Sequence, residues 1–126
     1  MKVREYMTVD VTTVTATTTV TGAAQLMRSS GVRHLPVLHA GELVGIVSDR
    51  DLLGAHDEAA QLQRVSTVMS SPVNTVDADQ PLADAVRTIL SRRISALPVL
   101  EDGRLAGILT TTDCLLALQH EPQRDR

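Results

Sequence analysis

The chain writes one sentence twice. Residues 35–53 read LPVLHAGELVGIVSDRDLL, and residues 97–115 read LPVLEDGRLAGILTTTDCL. Sliding the sequence by 62 positions aligns 3–55 with 65–117 without a gap, and 19 of the 53 pairs are identical. The identities fall on turn formers, core aliphatics and one acid, among them Gly41/Gly103, Gly45/Gly107, Ile46/Ile108 and Asp51/Asp113. Such a match is an internal duplication, and it constrains the fold more than any other feature. A half of about fifty residues is marginal alone, so the two copies are expected to share the work of burial. That expectation places them about a pseudo-twofold axis with a cleft between them.

Hydrophobic periodicity gives the order of elements within one copy. Val11–Val14 is short and β-branched and reads as a strand. Val20, Ala23, Ala24 and Met27 then recur at helical spacing, with Arg28 in the last turn and Gly31 ending the pattern. VRHLPVL and ELVGIVS read as two strands joined at HAG, and DRDLLGA opens a second helix. The second copy repeats this order, with Pro81 opening its first helix and EDG as its hairpin turn. The expected fold is α/β (α+β), two β-α-β-β-α repeats over residues 1–60 and 61–120. Residues 56–64 are expected to finish a helix and loop across, and 121–126 to form a flexible polar tail.

Composition narrows the function. The 126 residues include no Phe, no Trp and one Tyr, so the core must be aliphatic. The near absence of aromatics argues against recognition of single-stranded bases by stacking. A net charge of −3 is not the footprint of a nucleic-acid binder. One cysteine, Cys114, excludes an internal disulfide and suits a reducing cytoplasm. No apolar run approaches the roughly 18 residues that span a bilayer, and the first ten residues lack a signal-peptide core. The expected setting is cytoplasmic, without membrane or nucleic-acid partners. Neither the four histidines nor Cys114 has metal-ligand spacing, and no nucleophile–base–acid set is present, so a catalytic role is not expected. Met7 and Met69 occupy equivalent positions and read as core plugs.

One phrase could carry chemistry. SDRD places Ser48 and Asp51 at i and i+3 where a helix begins, and TTTD does the same with Thr110 and Asp113. The plain reading is a capping box, in which hydroxyl and acid satisfy the first amides of the helix. The same groups could also hold a ligand. Amides at a helix start suit a phosphate, and a carboxylate can accept two ribose hydroxyls.

The order of elements, the leading phrases YMTVDVTTV and VMSSPVNTV, the strands HLPV and ALPV, and the turns GIVSDRD and GILTTTD resemble the cystathionine β-synthase (CBS) domain. That module occurs in tandem pairs (Bateman modules), and the likeness covers nearly the whole chain. The first copy is also similar to small, free-standing CBS proteins associated with acetoin utilisation. The resemblance implies a regulatory module that binds an adenosine compound (AMP, ADP, ATP, NAD or S-adenosylmethionine) and signals through an effector protein, with no required cofactor. It implies one pocket from Ile46, Ser48, Arg50 and Asp51 with Asn74, Ile94 and Ser95. The other would take Ile108, Thr110, Thr112 and Asp113 with Thr12, Val32 and Arg33. It further implies a homodimer, built through the helices around residues 20–27 and 82–90. The competing reading is a dimeric adaptor that binds no ligand and keeps its acids as caps.

The copies differ in their polar residues. Arg33, His34 and Arg50 stand where the second copy has Ser95, Ala96 and Thr112. Basic groups suit phosphate, and they equally suit an exposed strand edge kept soluble by charge. Two unequal sites are therefore expected.

Overall fold

The computed structural model describes residues 1–120. Its elements are β1 (Val14–Thr15), α1 (Val20–Ser30), β2 (His34–His39), β3 (Glu42–Ser48), α2 (Asp49–Leu52), α3 (Glu58–Gln61), β4 (Val76–Asp77), α4 (Leu82–Arg92), β5 (Ala96–Glu101), β6 (Arg104–Thr110) and α5 (Thr111–His120). The expected order holds in both copies. Two details differ: the first strand, expected over Val11–Val14, is only Val14–Thr15, and the connector folds its own helical turn, α3, with the Asp57 carboxylate accepting from Ala60 N. Four residues are too few for periodicity to announce a helix.

Each copy builds a three-stranded sheet, in the orders β1-β2-β3 and β4-β5-β6. The first strand of each sheet is parallel to the second, and the second and third form an antiparallel hairpin. The hairpins share a register slip, between Val37 and Leu38 and between Val99 and Leu100. It leaves Val44 and Ala106 as the extra, bulged residues.

The compact units cut across the copies. The first unit is Val11–Val73, and the second joins Met1–Asp10 to the chain from Asn74 onward. The segment that leads each copy is therefore packed on the other copy's sheet. In the first unit, Ser70 exchanges backbone hydrogen bonds with Ile46 on β3 (2.9 and 3.2 Å). In the second, Thr8 does the same with Ile108 on β6 (2.9 and 3.0 Å). Each leading segment thus covers a sheet edge that would otherwise expose unpaired amides and carbonyls. A methionine follows the same exchange. A Cβ added at Gly45 would lie 2.5 Å from Met69 Sδ and 2.9 Å from Ser70 O, and one at Gly107 would lie 2.8 Å from both Met7 Sδ and Thr8 O. Only a residue without a side chain allows that approach. Met7 and Met69 do plug the cores, each beside the other copy's glycine.

The cores are aliphatic. Leu35, Val37, Val47 and Val65 are fully buried in the first unit, and Val3, Leu97, Val99 and Leu109 in the second. Arg4 is specific to the second unit, where it pairs with Asp79 (2.9 Å) and Glu101 (3.3 Å). Its 62-residue counterparts are Ser66, Thr17 and His39, which hold no such pair. No helix among the described residues is long and apolar enough to cross a membrane.

Candidate functional site

The repeated hydroxyl-x-x-Asp phrase sits where β3 turns into α2 and β6 into α5. In the first unit Asp51 N donates to Ser48 Oγ at 3.2 Å, and Ser48 N donates to Asp51 Oδ2 at 2.8 Å. In the second unit Asp113 N donates to Thr110 Oγ1 at 3.3 Å, and Thr110 N donates to Asp113 Oδ2 at 2.8 Å. Both phrases form reciprocal capping boxes. An ionised carboxylate has about four acceptor sites, so one amide does not exhaust it. Both acids and both hydroxyls are half-buried, which leaves them within reach of solvent or a ligand.

The strand that enters each hairpin completes the corner. His34 lies directly across the ladder from Ser48, and Asp49 N donates to Arg33 O at 2.9 Å. In the second unit Ala96 faces Thr110, and Thr111 N donates to Ser95 O at 3.0 Å. The first unit therefore gathers Arg33, His34, Ser48, Arg50 and Asp51 at one corner. The second gathers Ser95, Thr110, Thr112 and Asp113 at the equivalent one. Arg33, Arg50, Ser95 and Thr112 are exposed. Val32 and Ile94 follow α1 and α4, donate to Met27 O and Ile89 O (3.1 Å each), and pack half-buried on their cores. Ile46 and Ile108 sit two residues before the hydroxyls, and Thr12 and Asn74 two residues before Val14 and Val76. Each of the two expected sets is thus divided between the units: Ile46, Ser48, Arg50 and Asp51 lie in the first and Asn74, Ile94 and Ser95 in the second, while Ile108, Thr110, Thr112 and Asp113 lie in the second and Thr12, Val32 and Arg33 in the first.

Charge separates the two corners. Burial pushes the His34 imidazole below its usual value, Asp49 and Asp51 pull it back up, and Arg33 lowers it further. Its counterpart Ala96 is a buried apolar residue. Burial also raises the Cys114 thiol, with Asp113 adding to the effect, which favours its protonated form. Among the described residues no three His, Cys, Asp or Glu side chains are grouped to hold a metal.

Three neighbours of the corners escaped the sequence reading. Thr8 and Ser70 bond the strands two residues before the hydroxyls, and Asp49 ties α2 to Arg33. The repeated YMT and VMS phrases were a signal for the first two. They lie so far in sequence from the hydroxyls that nothing in the linear pattern connects them.

Comparison with known proteins agrees with this geometry. The CBS domain profile matches residues 3–58 and 65–120. The CBS domain-containing protein YhcV of Bacillus subtilis is 32% identical over 114 residues, covering 88% of this chain and 81% of its own. The Vibrio cholerae protein called AcuB superposes with a TM-score of 0.81 at 33% identity, over 98% of each chain. CBSX2, solved in complex with AMP, superposes with a TM-score of 0.83 at 32% identity, over 94% of this chain and 96% of its own. Other relatives are longer: the chain spans 43% of MJ0188 of Methanocaldococcus jannaschii and 24% of a homoserine O-acetyltransferase of Methanosphaerula palustris. Two matched domains, the paired sheets and the duplicated capped acids lead to one assignment: the chain belongs to the CBS domain family, as a tandem pair.

Proposed function

We propose that the chain is a ligand-sensing regulatory module whose ligand is an adenosine compound, with Asp51 and Asp113 accepting ribose hydroxyls. The observation that carries this reading is the half-buried carboxylate in each unit, fixed by its own cap and able to accept more. Preorganisation of this kind lowers the entropy cost of binding. The AMP complex of CBSX2 supports the ligand class. The exposed Arg33 and Arg50 make the first unit's corner the better neighbour for phosphate, and the hydroxyl-rich corner of the second unit the better one for an uncharged group. Signalling through an effector would require a ligand that binds two conformations unequally. The intact capping boxes favour one competing reading, a homodimeric adaptor in which these acids only end strands and start helices.

Calorimetry with AMP, ATP, adenosine, NAD and S-adenosylmethionine separates the two. Asp51→Asn and Asp113→Asn keep an acceptor for the cap. Each should weaken binding by about tenfold to a hundredfold, the worth of a hydrogen bond to a charged group. If neither parent nor variants bind any of the five, the adaptor reading stands.

A further inference from the structure

One side chain at the first unit's corner is placed to change its charge. Along β2, Leu35 and Val37 belong to the core, so His34 and Pro36 alternate onto the other face of the sheet. Pro36 is fully buried there. Across the ladder His34 is paired with Ser48 and Pro36 with Ile46. Residues directly opposite on antiparallel strands share a face, so the imidazole stands on the same side as the hydroxyl of the first capping box. It is half-buried.

The charges around His34 oppose one another. Helix α2 supplies Asp49 and Asp51, which favour the imidazolium, and the preceding Arg33 disfavours it. Arg50, between the two acids, is exposed. The other elements packed on β2 bring little charge. Strand β3 meets His34 with the uncharged Ser48 and carries its one charge, Glu42, at the far end of the hairpin. Strand β1 has none, and α1 has only Arg28, in its last turn. The segment bonded to Ile46 is uncharged over residues 68–72. Loss of water is the largest influence and favours the neutral ring. A group held by opposed influences changes state when one more charge arrives.

We propose that His34 couples the first unit's corner to pH: a phosphate-bearing adenosine ligand binds there with uptake of one proton by the imidazole, and binds more tightly as the solution becomes more acidic. The coupling rests on the nucleotide reading above and gives that site a regulation. The proton comes from solvent and goes to the free ring nitrogen, and no covalent bond changes. A phosphate brought to this corner is an opposite charge for the imidazolium, and it offsets the lost hydration that otherwise favours the neutral ring. The bound-state pKa of His34 then exceeds its free-state value. Affinity is level above the bound-state pKa, rises as pH falls between the two, and is level again below the free-state value. Adenosine carries no phosphate and has no such preference. Duplication supplies the control, since the second unit has Ala96 in this place and its corner cannot respond.

Calorimetry with AMP and with adenosine at about pH 5.5 and 7.5 tests the coupling on the parent, His34→Gln and His34→Ala. The phosphate of AMP itself titrates near pH 6, but it does so alike for all three chains, so the parent-to-variant ratio isolates His34. From the higher pH to the lower, the parent should gain about threefold to tenfold in AMP affinity over either variant, the effect of one partly screened charge. It should gain nothing over them in adenosine affinity. Buffers of different ionisation enthalpy should show more protons taken up with AMP by the parent than by the variants. If circular dichroism shows that both variants misfold, proton NMR of the parent takes their place: the His34 pKa should rise with AMP and stay unchanged with adenosine. A parent that binds neither compound overturns the nucleotide reading and the coupling together. Adenosine bound without AMP, an AMP ratio that does not change with pH, a gain shared by adenosine, or a His34 pKa that AMP leaves in place overturns the coupling alone.

Discussion

The hairpin corners of the two units share one backbone and differ in what they hang on it. Ladder register, bulge, capping box and glycine–methionine contact recur at the 62-residue offset. The charged side chains of the corner do not: Arg33, His34, Asp49 and Arg50 have Ser95, Ala96, Thr111 and Thr112 as their counterparts. Of the exposed leucines only Leu53 and Leu115 recur, while Leu90, Leu116 and Leu118 stand opposite Arg28, Gly54 and His56 in the alignment. The difference teaches which features the fold needs. What hydrogen bonding and close packing require is kept twice, whereas charge and apolar surface have been free to specialise, charge in the first unit and apolar surface in the second.

The shared part can be broken most severely at the glycines. Gly45→Ala and Gly107→Ala each press a Cβ to within 2.9 Å or less of a backbone carbonyl, Ser70 O or Thr8 O. A carbonyl held in a two-way hydrogen bond cannot step aside, so each variant should lose about 1–3 kcal/mol, as overpacked sites do. Urea unfolding measures it. A double variant with Met69→Ala should recover little of the Gly45→Ala loss, because the carbonyl remains. Losses below about 0.5 kcal/mol in either unit would mean that the leading segments do not sit on these strands as described.

These contacts also mark the limit of what the sequence could reveal. The offset made the element order legible, because the same turn and core residues appear at the same spacing. SDRD and TTTD made the capped acids legible, because a capping box is local. The exchange of leading segments was not. Met7, Met69, Gly45 and Gly107 are all visible as repeated residues, yet duplication permits either methionine to meet either glycine. Only the packed chain decides that Met7 meets Gly107. The expected dimer contact likewise drew on apolar residues of both α1 and α4. In the fold Val20, Ala23 and Met27 are all absorbed into burial, and Leu26 packs partly buried on the core. The surplus lies at Leu90 and on α5, whose leucines look like core residues until Cys114 and Ala117 are seen to fill that role.

The charged part is sharpened by pH. His34 is half-buried, and the charges acting on it include Asp49 and Asp51, which favour its proton, and Arg33, which opposes it. Burial outweighs them, so its folded pKa lies below the unfolded value of about 6.5. The unfolded chain then binds the proton first. Stability from this residue is complete above about pH 6.5, falls as pH drops from there to the folded pKa, and is level below it. His34→Ala, which copies the second unit's Ala96, should remove that part of the decline. Thermal melts of parent and variant between pH 5 and 8 give the comparison. Parallel curves would show that the His34 charge state is indifferent to folding.

The smallest expected effect lies at the hairpin tips, where one backbone is paired with two sequences. Both loops have two residues, Ala40–Gly41 between His39 and Glu42, and Asp102–Gly103 between Glu101 and Arg104. All four have positive φ: 50° and 81° in the first, 52° and 77° in the second. That is the geometry of a type I′ turn, which favours Asn-Gly or Asp-Gly. Alanine at positive φ brings its Cβ against its own carbonyl at a cost of roughly 1–2 kcal/mol. Aspartate and asparagine lower that cost through local hydrogen bonds. Ala40→Asn should therefore stabilise the chain by about 0.5 kcal/mol, a rise in Tm of about 2 °C. Asparagine is the better choice than aspartate, because it adds no charge beside Glu42. Asp102→Ala should lose a similar amount, which makes the pair a reciprocal test in one protein. A gain at position 40 with no loss at 102 would mean that Asp102 does not act through its turn. No change at either would mean that these tips relax out of the left-handed region in solution.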